Sequence, residues 1–137
     1  MTNQTGQCLC GSMKYEITGD PIRSVACHCT HCQKASGSAY SLNIIIASDQ
    51  FSVSGGTLTT YTDKGDSGED LRRHFCNRCG SPLYTEADSI PGMTIVKAGT
   101  LDDTTTFKPN ANIFCSSRMG WLTQESEITD FDKMPHD

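Results

Sequence analysis

The sequence has neither a long apolar run nor a stripe of basic residues. Its longest β-branched apolar run, IIIA at 44–47, is far shorter than the roughly 20 residues that cross a bilayer. The opening residues, MTNQTGQCLC, lack the basic and apolar segments of a secretory signal. Lys and Arg number 11 against 16 Asp and Glu, and they form no cluster suited to phosphates. We therefore expect a cytoplasmic protein without a nucleic-acid or membrane partner.

The 137 residues fit one domain with an ordinary hydrophobic core, and no internal repeat divides them. Charge is uneven along the chain. Residues 124–137 hold five acids against Lys133, a local sum of −4, while the remainder is close to neutral. We predict a domain over residues 1–123 and a loose, solvated acidic tail over residues 124–137.

Short β-strand patterns predominate along the chain. In MKYEIT (13–18), Met13, Tyr15 and Ile17 alternate with polar residues, which is typical of a half-buried strand. QFSVS and TLTTYT flank a Gly-Gly pair at 55 and 56 and predict a hairpin. One helical turn is predicted after Thr30, which would cap it, and before Gly37. The fold class that follows is mainly β, with antiparallel sheets and one or two short helices.

Eight cysteines are the most informative feature of the composition. They stay below the roughly 8 to 10% that marks a disulfide-built secreted scaffold. In a reducing cytoplasm, clustered cysteines are metal ligands or catalytic groups more often than disulfides.

Four of these cysteines occur as two pairs, each followed by glycine. Cys76 and Cys79 in CNRCG form a knuckle that presents two thiolates to one metal, and CLCG supplies Cys8 and Cys10. Together the pairs complete the four ligands of a closed structural zinc site, which would tie the N-terminal segment to the second half of the chain. The alternative is that they are four unrelated buried cysteines.

The segment CHCTHC, residues 27–32, is different because it offers three thiolates, Cys27, Cys29 and Cys32. A catalytic zinc has three protein ligands and one position for water or substrate. The alternative is a second closed structural site with His28, His31 or Cys115 as its fourth ligand.

The remaining candidates have structural interpretations. Hydrogen-bonded packing roles are expected for His28, His31 and His74, although His31 could instead act as an acid or base near an open metal position. His136 is expected to be inert. Cys115 is expected to be a small buried hydrophobe rather than a reactive thiol.

Seven thiolates and two zinc ions would together carry a charge of −3, which nearby cations would help to offset. Basic residues flank the proposed ligands: Arg72, Arg73, Arg78 and Lys34. They would screen this charge or bind substrate, or they would form ordinary solvated surface.

Three segments match a known pattern in order and spacing: CLCGSMKYEI, CHCTHCQKASGS and RRHFCNRCGSPLY. In these residues the chain resembles the glutathione-dependent formaldehyde-activating enzyme family, which includes centromere protein V, from about residue 7 to residue 122. The resemblance implies a zinc-bound β-tent fold, a structural zinc on the CxCG and CxxCG cysteines, and a catalytic zinc on the CxCxxC cysteines. Members of the family often have histidine where this chain has Asn112.

The activity implied by the resemblance is condensation of glutathione with formaldehyde, a carbon–sulfur lyase reaction in reverse. Small-molecule thiol and aldehyde substrates are therefore expected, with two zinc ions and no nucleotide, flavin or haem. Two other functions stay open on the residues alone. One is a zinc-stabilised binding module without catalysis, and the other is a thiol reductase that uses Cys115.

Overall fold

Two β-sheets, built from strands in residues 3–122 and 128–135, make up most of the structure. These are the residues that the computed structural model describes. The strands are β1 Asn3–Gln7, β2 Met13–Thr18, β3 Arg23–Cys27, β4 Ser41–Ala47, β5 Phe51–Gly55, β6 Leu58–Lys64, β7 Asp70–Cys76, β8 Pro82–Ala87, β9 Met93–Lys97, β10 Ala111–Ile113 and β11 Thr129–Asp130. The α-helix is α1 Thr30–Ser36, and short 3-10 turns lie at Ser48–Gln50, Ala98–Thr100 and Cys115–Ser117.

The smaller sheet has the order β1-β2-β5, and the larger has the order β11-β10-β3-β4-β9-β8-β7-β6. All pairings are antiparallel except those of β10 with β3 and with β11, which are parallel. This confirms the predicted class, a mainly β fold of antiparallel sheets with short helices. Among the described residues, no helix is long and apolar enough to span a membrane.

The main core lies where the two sheets face each other. Met13, Tyr15 and Ile17 of β2 are buried, as the alternating pattern predicts. They pack with residues of the larger sheet, including Ile46 and Leu83, which are fully buried. The sheets therefore depend on each other for burial of their apolar faces.

The predicted hairpin around residues 55 and 56 is wrong. β5 pairs with β2 in the smaller sheet, whereas β6 pairs with β7 in the larger sheet. Gly55 has a φ of 128°, and a Cβ there would overlap the carbonyl oxygen of Ser12. The Gly-Gly pair thus lets the chain pass tightly from one sheet to the other instead of reversing within one.

Helix α1 ends before Gly37, as predicted, but its N-cap is Cys29 rather than Thr30. The Cys29 sulfur accepts a hydrogen bond from the backbone N–H of Cys32 at 3.2 Å. A metal-ligand candidate therefore also caps the helix.

The described part of the acidic C-terminal segment is not loose. β11 adds a parallel edge strand beside β10, and Phe131 packs against the buried cluster that contains Cys27 and Cys32. Asp130 pairs with Arg118 at 2.8 Å, so this acid has a partner in the fold. Residues 128–135 of the predicted tail are therefore anchored to the larger sheet through β11, while Asp132, Lys133 and Met134 stay exposed. Residues 123–127 and 136–137 of the predicted tail, including His136, lie outside the described part of the chain.

Candidate metal centres and the adjoining cavity

The first centre joins the turn after β1 to the turn after β7. Its sulfur atoms, those of Cys8, Cys10, Cys76 and Cys79, all lie within 4.8 Å of one another. In each turn the backbone N–H of the following glycine donates to the carbonyl of the first cysteine: Gly11 to Cys8 and Gly80 to Cys76. Both glycines have a φ of 81°, which side-chain-bearing residues rarely adopt. The two knuckles that the sequence predicted therefore face each other.

The donor set of the first centre fits a tetrahedral zinc ion. Four sulfurs at about 2.3 Å from one ion would lie about 3.8 Å apart. Cys10 Sγ lies 3.7 Å from the sulfurs of both Cys8 and Cys76. Backbone N–H groups of Met13 and Arg78 point at the sulfurs of Cys8 and Cys76, each at 3.3 Å, and such donors stabilise thiolates.

Hydrogen bonding also favours the ionised form of the CxxC pair. Burial opposes ionisation of Cys76, but hydrogen bonds from Ser12, Thr57 and backbone N–H groups outweigh it and lower its pKa to about 5. Hydrogen bonds from the hydroxyl and the backbone N–H of Ser81 lower the pKa of Cys79 to about 7. These thiols are therefore poised to be thiolates, the form that binds metal.

The second centre lies where β3 runs into helix α1. Cys27 ends the strand, Cys29 caps the helix, Cys32 lies in its first turn, and the three sulfurs are within 4.8 Å of one another. Cys27 and Cys32 are buried. Within residues 3–122 and 128–135, no fourth Cys, His, Asp or Glu joins this group, so His28, His31 and Cys115 all stand outside it.

The three thiols of the second centre cannot all ionise without a cation. Hydrogen bonds from Cys27 and Cys29, with help from the ammonium of Lys97, lower the pKa of Cys32. Hydrogen bonds with Cys29 and Cys32, together with burial, raise the pKa of Cys27. One thiolate thus forms at the expense of the others, and a bound divalent cation would remove the conflict. The donor set therefore fits a metal ion.

His28, between two of these cysteines, turns away towards the C-terminal segment. Its Nε2 lies 2.9 Å from Oδ1 of Asn112, whose Nδ2 donates to Asp130 at 2.9 Å. Because a carboxylate accepts only, Asn112 presents its oxygen to His28, and the Nε2–H of His28 donates to it. Asn112 occupies the position at which the resembling family often has histidine. Through these two hydrogen bonds it links β11 to the CHCTHC segment.

His31 and His74 also make the hydrogen bonds expected of positioned histidines. His31 Nδ1 lies 2.7 Å from Asp63, which also accepts from Arg73 Nε at 3.1 Å. His74 contacts Thr60 and Glu86, each at 2.8 Å, and its ring stacks on that of Tyr84. Both nitrogens of His74 are engaged in the β6–β8 surface rather than in either centre.

A cavity of about 580 Å³ lies between helix α1 and strands β6–β9. Cys32 is the one member of the second centre that lines it, and none of the first centre does. Its basic side chains are Lys34, Arg73 and Lys97, and Phe75, Pro82 and Tyr84 supply apolar wall. Volumes of 300–1,000 Å³ are typical of small-molecule sites. The three-cysteine group therefore has access to a ligand-sized space.

Lys97 and Thr85 are cavity residues that the sequence did not single out. Lys97 donates to Asn43 Oδ1 at 2.9 Å, and burial lowers its pKa despite the nearby thiols. A lysine inside the apolar strand MTIVKAG was a usable signal, because buried ammonium groups need polar partners. Thr85 carries no such signal, since threonine is common in strands.

Cys115, the eighth cysteine, lies in the 3-10 turn after β10 and is partly buried. Its sulfur donates to the carbonyl of Asn112 at 3.5 Å, and burial raises its pKa. It is thus mainly a neutral thiol at neutral pH.

Comparison with known proteins agrees with this organisation. The family model described as glutathione-dependent formaldehyde-activating enzyme matches residues 3–117. A Halomonas elongata protein named "Putative glutathione-dependent formaldehyde-activating enzyme" is 26% identical over 91% of this chain and 83% of its own length. Proteins of the same name from Podospora anserina and Talaromyces marneffei are 29% and 34% identical, and the aligned chain spans 54% and 41% of their lengths.

A solved structure of a Rhodobacter sphaeroides protein has the same fold. It superposes with a TM-score of 0.60 at 19% identity, covering 74% of this chain and 91% of that one. The family match extends over most of the chain and includes all seven clustered cysteines. The chain therefore belongs to the glutathione-dependent formaldehyde-activating enzyme family.

Proposed function

We propose that the protein is a zinc-dependent carbon–sulfur lyase-like enzyme that adds a thiol, glutathione or one similar to it, to a small aldehyde such as formaldehyde, or reverses that addition. In the forward direction a carbon–sulfur bond forms, the carbonyl π bond breaks, and the thiol proton ends on the new hydroxyl. The observation that carries the proposal is the three-thiol group with Cys32 on the cavity wall.

Cys27, Cys29 and Cys32 would hold the catalytic zinc, and Cys8, Cys10, Cys76 and Cys79 the structural one. When bound by three cysteines, zinc keeps a fourth position for a thiol and favours its thiolate form. Three thiolates would leave such a site with a charge of about −1. The ammonium of Lys97 is placed to offset this charge.

The cavity supplies what the chemistry needs beyond the metal. Phe75, Pro82 and Tyr84 form apolar wall that would limit water around a small aldehyde. Lys34, Arg73 and Lys97 bring positive charge to the same space, which suits an anionic thiol. Thiolate ligands donate strongly to zinc, so the site suits thiol binding and release better than hydrolysis.

The cellular setting and chain division follow from the same proposal. Seven thiols must stay reduced to bind zinc, which favours the cytoplasm. Residues 1–123 would form the zinc-binding domain and residues 124–137 an acidic C-terminal segment.

A thiol reductase based on Cys115 has less support. A nucleophilic cysteine needs a lowered pKa, and that of Cys115 is raised.

The proposal is tested with zinc-loaded protein, glutathione and carbon-13-labelled formaldehyde by NMR exchange spectroscopy. We expect exchange between free formaldehyde and S-(hydroxymethyl)glutathione to exceed the uncatalysed rate, to return to that rate in Cys32→Ala, and to persist in Cys115→Ala. A cobalt-substituted protein should also change its absorption spectrum when glutathione is added. No rate increase and no spectral change at millimolar glutathione would instead support a non-catalytic binding module.

A further inference from the structure

A row of three side chains crosses the sheet under helix α1. Tyr61 of β6 is the register partner of Arg73 of β7, and Arg73 is the register partner of Thr85 of β8. Register partners in antiparallel strands project from the same face. All three residues line the cavity that Cys32 also lines.

Within this row, the guanidinium of Arg73 has N–H donors that are still available for a ligand. Its side chain is only 15% exposed, and its Nε donates to Asp63. In the described part of the chain, the structure records no hydrogen bond from its two terminal nitrogens. A guanidinium with one edge anchored and its other donors facing a cavity is preorganised for a planar oxyanion.

Thr85 supplies an independent observation beside Arg73. The residue is 5% exposed, and its Oγ1 has no hydrogen-bond partner among the described residues. Buried hydroxyl groups are almost always hydrogen-bonded, because leaving one unpaired costs stability. Thr85 lines the cavity, and a rotation of its side chain about χ1 would let a polar group of a ligand supply the missing partner.

The charge of the cavity agrees with an anion. With histidines neutral and zinc bound by three thiolates, the second centre contributes about −1 and Asp63 another −1 against three cations, Lys34, Arg73 and Lys97, so the net charge around the cavity is about +1. We propose that Arg73 and Thr85 form a subsite that binds a carboxylate of the thiol substrate. This inference rests on the proposed function for the thiol, but the carboxylate subsite is tested without any chemistry.

The test uses S-methylglutathione, in which the thiol is capped, and isothermal titration calorimetry of the zinc-loaded protein. We expect measurable binding by the unmodified chain and binding at least about tenfold weaker in Arg73→Gln, since charged hydrogen bonds are lost. Arg73→Lys keeps the charge without the planar fork and should fall between the two. The dimethyl ester of the same probe should bind more weakly than the diacid.

Arg72→Gln is the matched control. Arg72 is the neighbouring residue on β7, pairs with Asp88 and does not line the cavity, so this change should leave the affinity unaltered. Thr85→Val tests the second half of the subsite. It should raise the melting temperature of the ligand-free protein, because an unpaired buried hydroxyl is removed, while weakening binding of the probe.

Equal affinity in Arg73→Gln and the unmodified chain, equal affinity for diacid and diester, or no binding at millimolar probe would each overturn the subsite. The failure of either proposal can be recognised separately. Probe binding without formaldehyde exchange would refute the enzyme and leave the subsite standing. Formaldehyde exchange that proceeds equally with neutral and anionic thiols would refute the subsite and leave the enzyme proposal standing.

Discussion

The two cysteine groups differ in what they join. The four-cysteine group brings together residues 8–10 and 76–79, far apart in the chain, and links the smaller sheet to the larger one. The three-cysteine group lies within six residues, at a single strand-to-helix junction. A metal that closes a long loop stabilises the whole fold, whereas one bound by a local segment stabilises little beyond that segment. The comparison therefore supports the proposal that the first group serves folding and the second serves chemistry.

Their surroundings differ in the same direction. In the four-cysteine group, each pair of cysteines is held by a backbone hydrogen bond in a glycine-containing knuckle. No member of this group lines the cavity. In the three-cysteine group, Cys32 faces a ligand-sized space with basic side chains. A three-cysteine site beside a cavity has a position for an exchangeable ligand, whereas four protein sulfurs complete the coordination of a zinc ion.

The largest expected effect is that of Cys76→Ser. Structural zinc contributes about 10–16 kcal/mol in small zinc domains, which is comparable with the whole stability of a typical domain, about 5–15 kcal/mol. We expect this variant to be unfolded at room temperature, as measured by far-ultraviolet circular dichroism, and to lose zinc. Cys115→Ser is the control, because Cys115 belongs to neither group. A cooperative melt within a few degrees of the unmodified protein would remove the structural role from the first group.

A much smaller effect on folding is expected for Cys29→Ser. The serine oxygen can replace the Cys29 sulfur as helix N-cap, so the local cost is about 1 kcal/mol or less. We expect a folded protein that holds about one zinc ion by elemental analysis, against about two in the unmodified chain. If Cys29→Ser unfolds as completely as Cys76→Ser, the distinction between the two groups is wrong.

The sequence was sufficient for local features and for both cysteine groups. Strand β2 and the end of helix α1 follow from patterns within a few residues. The cysteine spacing identified both sets, because CxC, CxxC and CxCxxC are short-range signals that limit which sulfurs can meet.

Features that depend on distant partners were not predictable in this way. Nothing in QFSVSGG shows that β5 pairs with β2 rather than with β6, since each strand pattern is compatible with either partner. The two-residue strand β11 is held by parallel pairing and by Phe131, which no local periodicity reveals within an acidic segment. Arg73 and Thr85 likewise become neighbours only through the register of β7 and β8.

The smallest expected effect concerns Tyr15, at the junction of the two sheets that the four-cysteine group links. Its hydroxyl lies 2.7 Å from Thr100 Oγ1, and burial raises its pKa to about 12. An unfolded tyrosine has a pKa of about 10, so the buried neutral hydroxyl contributes its full stability below pH 10 and loses it as the pH rises towards 12. The corresponding loss in unfolding free energy is about 2–3 kcal/mol.

Urea denaturation at pH 9 and at pH 11.5 measures this loss, and Tyr15→Phe should reduce it while costing about 1 kcal/mol at pH 9, where one hydrogen bond is missing. The same alkaline loss should appear in Cys29→Ser, because Tyr15 packs in the core cluster of the four-cysteine group and not in that of the three-cysteine group. An alkaline loss that is identical in Tyr15→Phe and the unmodified chain would mean that Tyr15 is not the titrating group. A loss that disappears in Cys29→Ser would mean instead that the two regions are coupled, and the independence argued from their chain connections would fail.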